Sequence, residues 1–174
     1  YAFIVYPLVT KAINAVANEI PAKNWGHDLN GFLTALSDKT KLIFIANPNN
    51  PTGNFLTEAE LDAFLAKLPE KVIVVLDEAY TEFTHPSERV NSFALLDKYP
   101  NLIVSRSLSK AYGLAGLRIG YAVSNPEIAD LLNRVRQPFN CNSLALTSAI
   151  AVMNDDAFVE KVAENNRQEM KRYE

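Results

Sequence analysis

The sequence predicts an α/β fold, a three-layer αβα sandwich around a mostly parallel central sheet. Two observations support this prediction. Three apolar runs without polar alternation, at residues 41–46, 72–76 and 102–104, are typical of strands buried on both faces. Segments with apolar residues at helical spacing separate these runs, as in sheets whose strands are joined by crossover helices.

The composition is that of one folded globular domain. The chain has 174 residues, of which 48% are hydrophobic and 21% charged. Its net charge of −3 gives no electrostatic reason to expect a nucleic acid or an anionic membrane as a partner. No apolar run approaches the length of a membrane span. Cys141, the one cysteine, excludes an internal disulfide, and we expect the protein in the reducing cytoplasm.

Two helices and a short strand are predicted near the start of the chain, before the first apolar run. Apolar residues recur at helical spacing over residues 6–17, and a short strand is predicted around residues 19–21. Asp28 is a favourable N-cap residue for a helix that runs to about Leu36.

The segments between and after the apolar runs carry further signals. Thr57 and Glu60 have the spacing of a capping box, which predicts a helix start. A helix is predicted over residues 92–98 and a fourth strand over residues 118–123. Asn125, followed by proline, predicts the start of another helix.

The end of the chain is predicted to be helical. The chain turns helical from Ser143, and residues from about 155–174 predict a long, more charged helix. The sequence starts at Tyr1 and not at methionine, and it stops at Glu174 within the helical pattern. We therefore expect a piece of a larger protein, with residues 1–174 forming a large domain that is incomplete at its N-terminus and whose last helix leads toward a second, absent domain.

Polar residues follow each of the three apolar runs. Asn50 follows the first run, Asp77 ends the second, and Lys110 follows the third. The carboxyl ends of parallel strands share one edge of a sheet, and open α/β sheets bind ligands there. These three residues are therefore predicted to converge on one site.

The chemistry of these residues suits pyridoxal 5′-phosphate (PLP). The aldehyde of PLP reacts with a lysine amine, a role for Lys110. The pyridine nitrogen needs a neighbouring acid to stay protonated, and Asp77 emerges from a buried strand where such pairing is strong. The ring oxygen accepts hydrogen bonds, which Asn50 and Tyr80 can donate.

The phosphate of PLP requires hydroxyls, backbone N–H groups and a guanidinium. Ser107 and Ser109 supply hydroxyls just before Lys110, and Arg118 follows eight residues after that lysine. An arginine can bind phosphate through two charge-assisted hydrogen bonds. These three residues are the predicted phosphate ligands.

These motifs together resemble a known family. The stretches Asn50-Pro-Thr-Gly53, Asp77-Glu-Ala-Tyr80 and Ser107-Leu-Ser-Lys110, with Arg118 beyond them, resemble the aspartate-aminotransferase-like superfamily of PLP-dependent enzymes, class I/II. Within this superfamily, the chain is most similar to the histidinol-phosphate aminotransferases. The resemblance runs over essentially the whole chain, and it implies the PLP-binding large domain of that fold.

The resemblance implies a role for each site residue. Lys110 holds PLP as a Schiff base and then acts as base and acid in the 1,3-proton shift, while Asp77 pairs with the pyridinium. The implied contacts to the ring oxygen and to the phosphate fall on Asn50, Tyr80, Ser107, Ser109 and Arg118. An aromatic residue stacks on the ring in this family, and Phe3 is the expected match, with Tyr1 as the alternative.

The resemblance also implies substrates and partners. L-histidinol phosphate and 2-oxoglutarate would give imidazole-acetol phosphate and glutamate, a step of histidine biosynthesis. A homodimer is implied, because each active site borrows residues from its partner, and residues 137–143 are expected near that interface. The family's glycine-containing phosphate loop precedes Tyr1, and its small domain with the substrate-binding arginines is absent. We therefore expect weakened PLP binding and inefficient turnover.

Other functions and simpler structural roles remain open at this stage. The chain can be an aminotransferase for aromatic or other amino acids, or a folded fragment without catalysis. Residues 72–78 also resemble a strand ending in magnesium-binding acids, as in a nucleotide hydrolase, but a phosphate-binding G-x-x-x-x-G-K-[ST] loop is missing. Asn50 has an alternative role as a turn residue, Tyr80 and Phe3 as core aromatics, and the serines as local backbone partners. His27 and His85 lack metal-ligand spacing, so we predict no metal site.

Overall fold

The computed structural model describes residues 1–173; Glu174, the last residue of the predicted terminal helix, lies outside them. The α-helices of the described chain are α1 Val5–Ala12, α2 Leu29–Thr34, α3 Glu58–Leu65, α4 Ser92–Lys98, α5 Pro126–Val135, α6 Ser143–Val152 and α7 Asp156–Met170. The strands are β1 Leu42–Ala46, β2 Ile73–Asp77, β3 Leu102–Ser107 and β4 Gly120–Ser124. Three short 3₁₀ helices span Thr81–Phe83, Pro86–Glu88 and Ala115–Leu117.

The four strands form one sheet in the order β1-β2-β3-β4. The strands β1, β2 and β3 are parallel, whereas β4 runs antiparallel to β3. This confirms the predicted α/β fold with a mostly parallel sheet. The predicted fourth strand at 118–123 is shifted, because Arg118 has a left-handed backbone (φ 54°) that is incompatible with a strand, and pairing with β3 begins at Gly120.

The register of the sheet brings the carboxyl ends of the parallel strands together. Ala46 at the end of β1 pairs with Asp77 at the end of β2, and Asp77 pairs with Ser105 in β3. The polar residues that follow these strands therefore leave the sheet at one edge, as the sequence predicted.

One face of the sheet carries the main core. Ile45, Leu76 and Val104 pair side by side across the three parallel strands and are at most 1% exposed. They pack in one cluster with Phe64 of α3 and Leu95 of α4, and α2 adds partly buried residues. Burial of this apolar surface is the main stabilising contribution to the domain.

The other side of the sheet is covered less completely. Tyr6 of α1 stacks on Phe44 of β1 with a ring-centroid distance of 4.7 Å. A second, smaller cluster joins Leu108 and Ile119 to α6, which contributes only Ala145 and Ala149 as buried residues. The rest of α6 consists largely of exposed apolar side chains.

Most predicted helix starts are confirmed. The Asp28 side chain caps α2 by accepting the Gly31 N–H, and Asn125 caps α5. The Thr57–Glu60 capping box is complete, with both reciprocal hydrogen bonds present. The helix predicted over 92–98 coincides with α4.

Two predictions near the start of the chain are wrong. The helix predicted over 6–17 ends at Ala12, because Asn14 turns into the left-handed region with φ of 56°. Residues 19–21 form no strand in the structure; the short pairing nearby is an isolated bridge between Lys23 and Gly26, where the chain turns back on itself. A strand requires a longer run of partners than this turn provides.

The last helix packs back onto the domain. The predicted helix from residue 155 is α7, and its Ala163 is fully buried. It contacts the 3₁₀ helix Thr81–Phe83, which follows β2. None of the helices within residues 1–173 is both long and apolar enough to cross a membrane.

Candidate active site

A cavity of about 410 Å³ opens at the carboxyl ends of the parallel strands. Its size is within the range of small-molecule sites. All eight predicted site residues are among those that line it: Phe3, Asn50, Asp77, Tyr80, Ser107, Ser109, Lys110 and Arg118. Tyr1 is not among the lining residues, so of the two aromatic candidates the structure brings Phe3 to the cavity.

Asp77 is held in place by two hydrogen bonds. The Tyr6 hydroxyl donates to Asp77 Oδ2 at 2.7 Å, and the Ala79 backbone N–H donates to Oδ1 at 3.2 Å. Burial, followed by the hydrogen bond to Asp77, raises the pKa of Tyr6 well above its usual range. Tyr6 therefore stays protonated and acts as a donor, which leaves Asp77 as the acceptor.

Tyr6 is a cavity residue that sequence reasoning missed. It lies three residues after Phe3, and the two rings meet edge to face at 5.7 Å between centroids. Phe3 precedes α1, so helical spacing does not connect it with Tyr6. The sequence does not show that Tyr6 faces Asp77, which lies 71 residues away along the chain.

Tyr80 links the two sides of the cavity. The Asn50 amide donates to the Tyr80 hydroxyl at 3.3 Å. The Lys110 amine lies 5.4 Å from the centroid of the Tyr80 ring, which is within the range of a cation–π contact. Lys110 itself is exposed, so its amine is accessible to a ligand in the cavity.

Ser107, Ser109 and Arg118 form a polar group at the other end. The Ser109 backbone N–H donates to Ser107 Oγ at 3.1 Å, and Arg118 Nη1 lies 3.4 Å from Ser109 Oγ. Arg118 also donates to the Ala115 carbonyl at 2.8 Å. Its left-handed backbone is a costly conformation for a residue other than glycine, and such conformations concentrate at functional sites.

Gly120 allows the chain to return closely from Arg118 to the sheet. A Cβ atom at this position would lie 2.6 Å from the Arg106 carbonyl oxygen, which is too close for any side chain. Gly120 pairs with Ser107 in the β3–β4 register. A glycine is therefore required where the two strands frame the cavity.

Glu78 does not take part in the cavity, although it follows Asp77 directly. It is 1% exposed, and its Oε2 accepts hydrogen bonds from Ser92 Oγ and Arg106 Nε, both at 2.9 Å. A carboxylate with these partners is unsuited to bind magnesium. The nucleotide-hydrolase interpretation of residues 72–78 therefore loses its second acid.

The two histidines have local roles. His27 Nε2 donates to the Ala46 carbonyl at 2.9 Å, and burial lowers the pKa of His27. His85 caps the 3₁₀ helix Pro86–Glu88. Among the residues that the structure describes, no group of three or more His, Cys, Asp or Glu side chains could hold a metal ion.

Comparison with known proteins identifies the family. The family model described as "Aminotransferase class I and II" matches residues 5–174. The chain belongs to this family.

Several proteins similar to this chain are histidinol-phosphate aminotransferases. Histidinol-phosphate aminotransferase 2 of Haemophilus influenzae (strain 86-028NP) is 85% identical over 174 residues, which are 100% of this chain and 48% of that protein. Histidinol-phosphate aminotransferase 1 of Mannheimia succiniciproducens is 80% identical over the same shares of the two chains. The crystal structure of the Sinorhizobium meliloti histidinol-phosphate aminotransferase in complex with PLP aligns with a TM-score of 0.91 at 32% identity, covering 98% of this chain and 47% of that one. The chain thus spans about half the length of the relatives it matches.

Proposed function

We propose that this chain is the PLP-binding part of a histidinol-phosphate aminotransferase. The observation that carries the proposal is the convergence of an amine, a carboxylate and a guanidinium, those of Lys110, Asp77 and Arg118, on one cavity in a chain of this aminotransferase family. The high identity to histidinol-phosphate aminotransferases supports histidinol phosphate as the amino donor. We extend the proposal to 2-oxoglutarate as the acceptor, which would leave as glutamate.

The cavity fits the cofactor in size and in chemistry. Its volume of about 410 Å³ suits a small ring with a phosphate group. An acid, two hydrogen-bonding groups, an amine and a phosphate-binding group line it, and these are the groups that the substituents of PLP require. When bound, PLP supplies an aldehyde that links to an amine and a ring that withdraws electrons from the donor's α-carbon.

Each residue then has a defined task. Lys110 would hold the cofactor through its amine and would carry a proton to and from the donor's α-carbon. Asp77, supported by Tyr6, would keep a proton on the ring nitrogen by charge pairing. Phe3 would stack on the ring, Asn50 and Tyr80 would donate hydrogen bonds to the ring oxygen, and Ser107, Ser109 and Arg118 would bind the phosphate.

Reductive trapping tests the cofactor site. PLP is added to the purified chain, the link is reduced with borohydride, and the labelled peptide is mapped in the wild type, in Lys110→Ala and in Lys98→Ala as an exposed-lysine control. We expect one labelled site at Lys110 that is lost only in Lys110→Ala. Labelling spread over many lysines, or unchanged in Lys110→Ala, would contradict the proposal.

We also propose that the domain acts as a homodimer and that α7 leads toward a second domain of the parent protein. The exposed apolar side chains of α6, including Leu144 and Ile150, support a large covered interface. Residues 137–143 precede α6 and would lie at its edge. The substrate and acceptor are tested with a longer protein that contains this chain, by comparing histidinol phosphate with aromatic amino donors. A preference for an aromatic donor would favour the alternative aminotransferase activity.

A further inference from the structure

Glu78 and Arg106 form a largely buried ion pair at the wall of the cavity, and Arg106 is itself one of the lining residues. Arg106 Nη2 lies 2.8 Å from Glu78 Oε2, and the side chains are 18% and 1% exposed. The same carboxylate oxygen accepts from Ser92 of α4. The Arg106 guanidinium also lies 5.1 Å from the centre of the Phe93 ring, so the pair is held between β2, β3 and α4.

Stability alone does not explain this ion pair. Removing two charges from water costs about as much as their attraction returns, so a buried ion pair is weak evidence for a stabilising role. Burial is the largest influence on Glu78 and raises the pKa of its carboxyl despite the neighbouring Arg106. One oxygen, Glu78 Oε1, has no hydrogen-bond partner within the described chain. Burial of the Glu78–Arg106 pair therefore costs free energy of folding.

The position of the pair indicates a different role. Asp77 precedes Glu78, while Ser105 and Ser107 flank Arg106, and all three of these neighbours line the cavity. The last backbone hydrogen bond between β2 and β3 runs from the Glu78 N–H to the Ser105 carbonyl at 2.8 Å. Beyond that bond the segments that follow β2 and β3 diverge, one leading to Tyr80 and the other to Lys110. The ion pair ties them together at the point of separation.

We propose that Glu78 and Arg106 are a pair of positioning residues that fix Asp77 relative to Lys110 and cancel each other's charge at the wall of the cavity. This inference rests on the proposed function, since it assigns Asp77 to the ring nitrogen and Lys110 to the aldehyde. The charged groups that face the pair are Asp77 and Glu82, together with the Tyr121 hydroxyl. Asp77 is thereby the one acid next to the pair that also lines the cavity.

Two conservative variants distinguish the hydrogen-bond geometry of the Glu78–Arg106 pair from its charge balance. Glu78→Gln keeps the shape of the side chain but leaves the Arg106 charge unbalanced, whereas Arg106→Lys keeps the charge but loses the two-pronged hydrogen bond. The control is Lys98→Met, which removes the exposed Lys98–Asp62 ion pair far from the cavity. Affinity for PLP and the pH midpoint of the visible absorbance of the lysine-linked cofactor are measured, and folding is checked by circular dichroism.

We expect both variants to weaken PLP binding by about 10- to 100-fold, the range that corresponds to the loss of a hydrogen bond to a charged group. Glu78→Gln should also lower the pH midpoint, because the unbalanced positive charge of Arg106 disfavours a protonated link nitrogen. Arg106→Lys should leave the midpoint unchanged, and Lys98→Met should change neither quantity. If the pair had a purely structural role, both variants would bind PLP more weakly, but their pH midpoints would not differ.

The outcomes distinguish this inference from the proposed function. If the wild type links PLP at Lys110 but both variants behave like Lys98→Met, the inference is wrong and the proposed function stands. If the wild type forms no specific link at Lys110, both are overturned. Should Glu78→Gln fail to fold, Arg106→Lys decides, and wild-type affinity in that variant would overturn the positioning role.

Discussion

Tyr6 supports Asp77 through a single hydroxyl, so its role is tested by removing that atom. In Tyr6→Phe the ring still stacks on Phe44, but Asp77 Oδ2 loses its donor at 2.7 Å. A hydrogen bond to a charged group is worth about 1.5–3 kcal/mol, so we expect the Kd for PLP to rise roughly tenfold or more. The Kd is measured by absorbance titration.

Tyr99 offers a matched control for that substitution. Its hydroxyl donates to Asp62 Oδ1 at 2.6 Å in a partly buried hydrogen bond, and neither residue lines the cavity. Tyr99→Phe therefore removes the same type of hydrogen bond without touching the site. Equal Kd values for the two variants would show that the hydroxyl of Tyr6 does not act through Asp77.

Arg118 is expected to bind the phosphate and nothing else on the cofactor. Arg118→Lys keeps the positive charge but loses the planar fork that binds two phosphate oxygens. We expect roughly tenfold weaker binding of PLP and unchanged binding of pyridoxal, which lacks the phosphate. Arg134→Lys, in an exposed ion pair with Asp130, is the control. A similar loss for PLP and pyridoxal would place Arg118 elsewhere in the site.

At the scale of residues, the residues that line the cavity were predictable from the sequence, whereas the residues that hold them in place were not. The eight predicted residues all line one cavity; all but Phe3 end or follow the parallel strands, whose carboxyl ends share one edge of the sheet. Tyr6 and the Glu78–Arg106 pair were missed. Their roles depend on contacts between distant segments, and neither a tyrosine in a helix nor an arginine in a strand carries a local signal of such a contact.

Among the structural elements, β4 depends on Gly120 for its close pairing with β3. In Gly120→Ala the new Cβ would meet the Arg106 carbonyl at 2.6 Å, so β3 and β4 must separate. We expect the free energy of unfolding to fall by about 1–3 kcal/mol, as for other overpacked sites. Gly116→Ala is the control, since a Cβ there has no heavy atom within 4 Å. Chemical denaturation of both variants measures the difference, and equal stability would show that the backbone adjusts at no cost.

Helix starts were predictable and several other boundaries were not. The caps by Asp28, Thr57 and Asn125 are local interactions between a side chain and the next turn, so the sequence alone reveals them. The end of α1 and the direction of β4 depend on backbone turns at Asn14 and Arg118. A left-handed turn is uncommon for arginine, and asparagine adopts one more readily than most residues but also occurs in many other conformations, so neither residue marks the turn in the sequence pattern.

At the scale of the whole molecule, the chain exposes more surface than its mass predicts. It exposes 11375 Å², whereas a monomeric globular protein of 19.3 kDa is expected to expose about 8,500 Å². The chain spans about half the length of its relatives, so part of this excess is surface that the rest of a longer protein would cover. Exposed apolar side chains of α6 contribute to it, with Leu144 at 71% and Ile150 at 69%.

The exposed apolar side chains of α6 are the surface on which the proposed self-association is tested. In Ile150→Glu a charge is placed on the exposed face, and a charge buried without a partner opposes association. We expect the variant to be folded and to shift toward the monomer in sedimentation velocity. Met170→Glu places the same charge on the end of α7 and serves as the control. If Ile150→Glu leaves the oligomeric state unchanged, α6 is not the interface.

Buried carboxyls make global stability depend on pH. Glu82 is 5% exposed, its Oε2 lacks a hydrogen-bond partner in the described chain, and burial raises its pKa. The folded state then holds a proton more tightly than the unfolded state, so stability falls as pH rises from the unfolded pKa of about 4.3 through the higher folded value. In Glu82→Gln we expect roughly 1 kcal/mol more stability at pH 8 and a flatter pH profile.

The control for this substitution is Glu88→Gln, which makes the same charge change on an exposed side chain nearby. Denaturant unfolding between pH 5 and pH 8 gives the free energy of unfolding for each protein. If the two variants show the same pH profile as the wild type, Glu82 is ionised in the folded state without cost.

The lining of the cavity extends from Phe3 to Gly120, through three strands and the segments that join them. No shorter stretch of the chain contains the whole site, so a ribosome must release most of this domain before a cofactor has a place to bind. A ligand that binds only the folded chain adds its binding free energy to folding, about 2.7 kcal/mol at a hundred times its Kd. PLP would then stabilise the newly folded domain, in addition to taking part in the reaction of the mature protein.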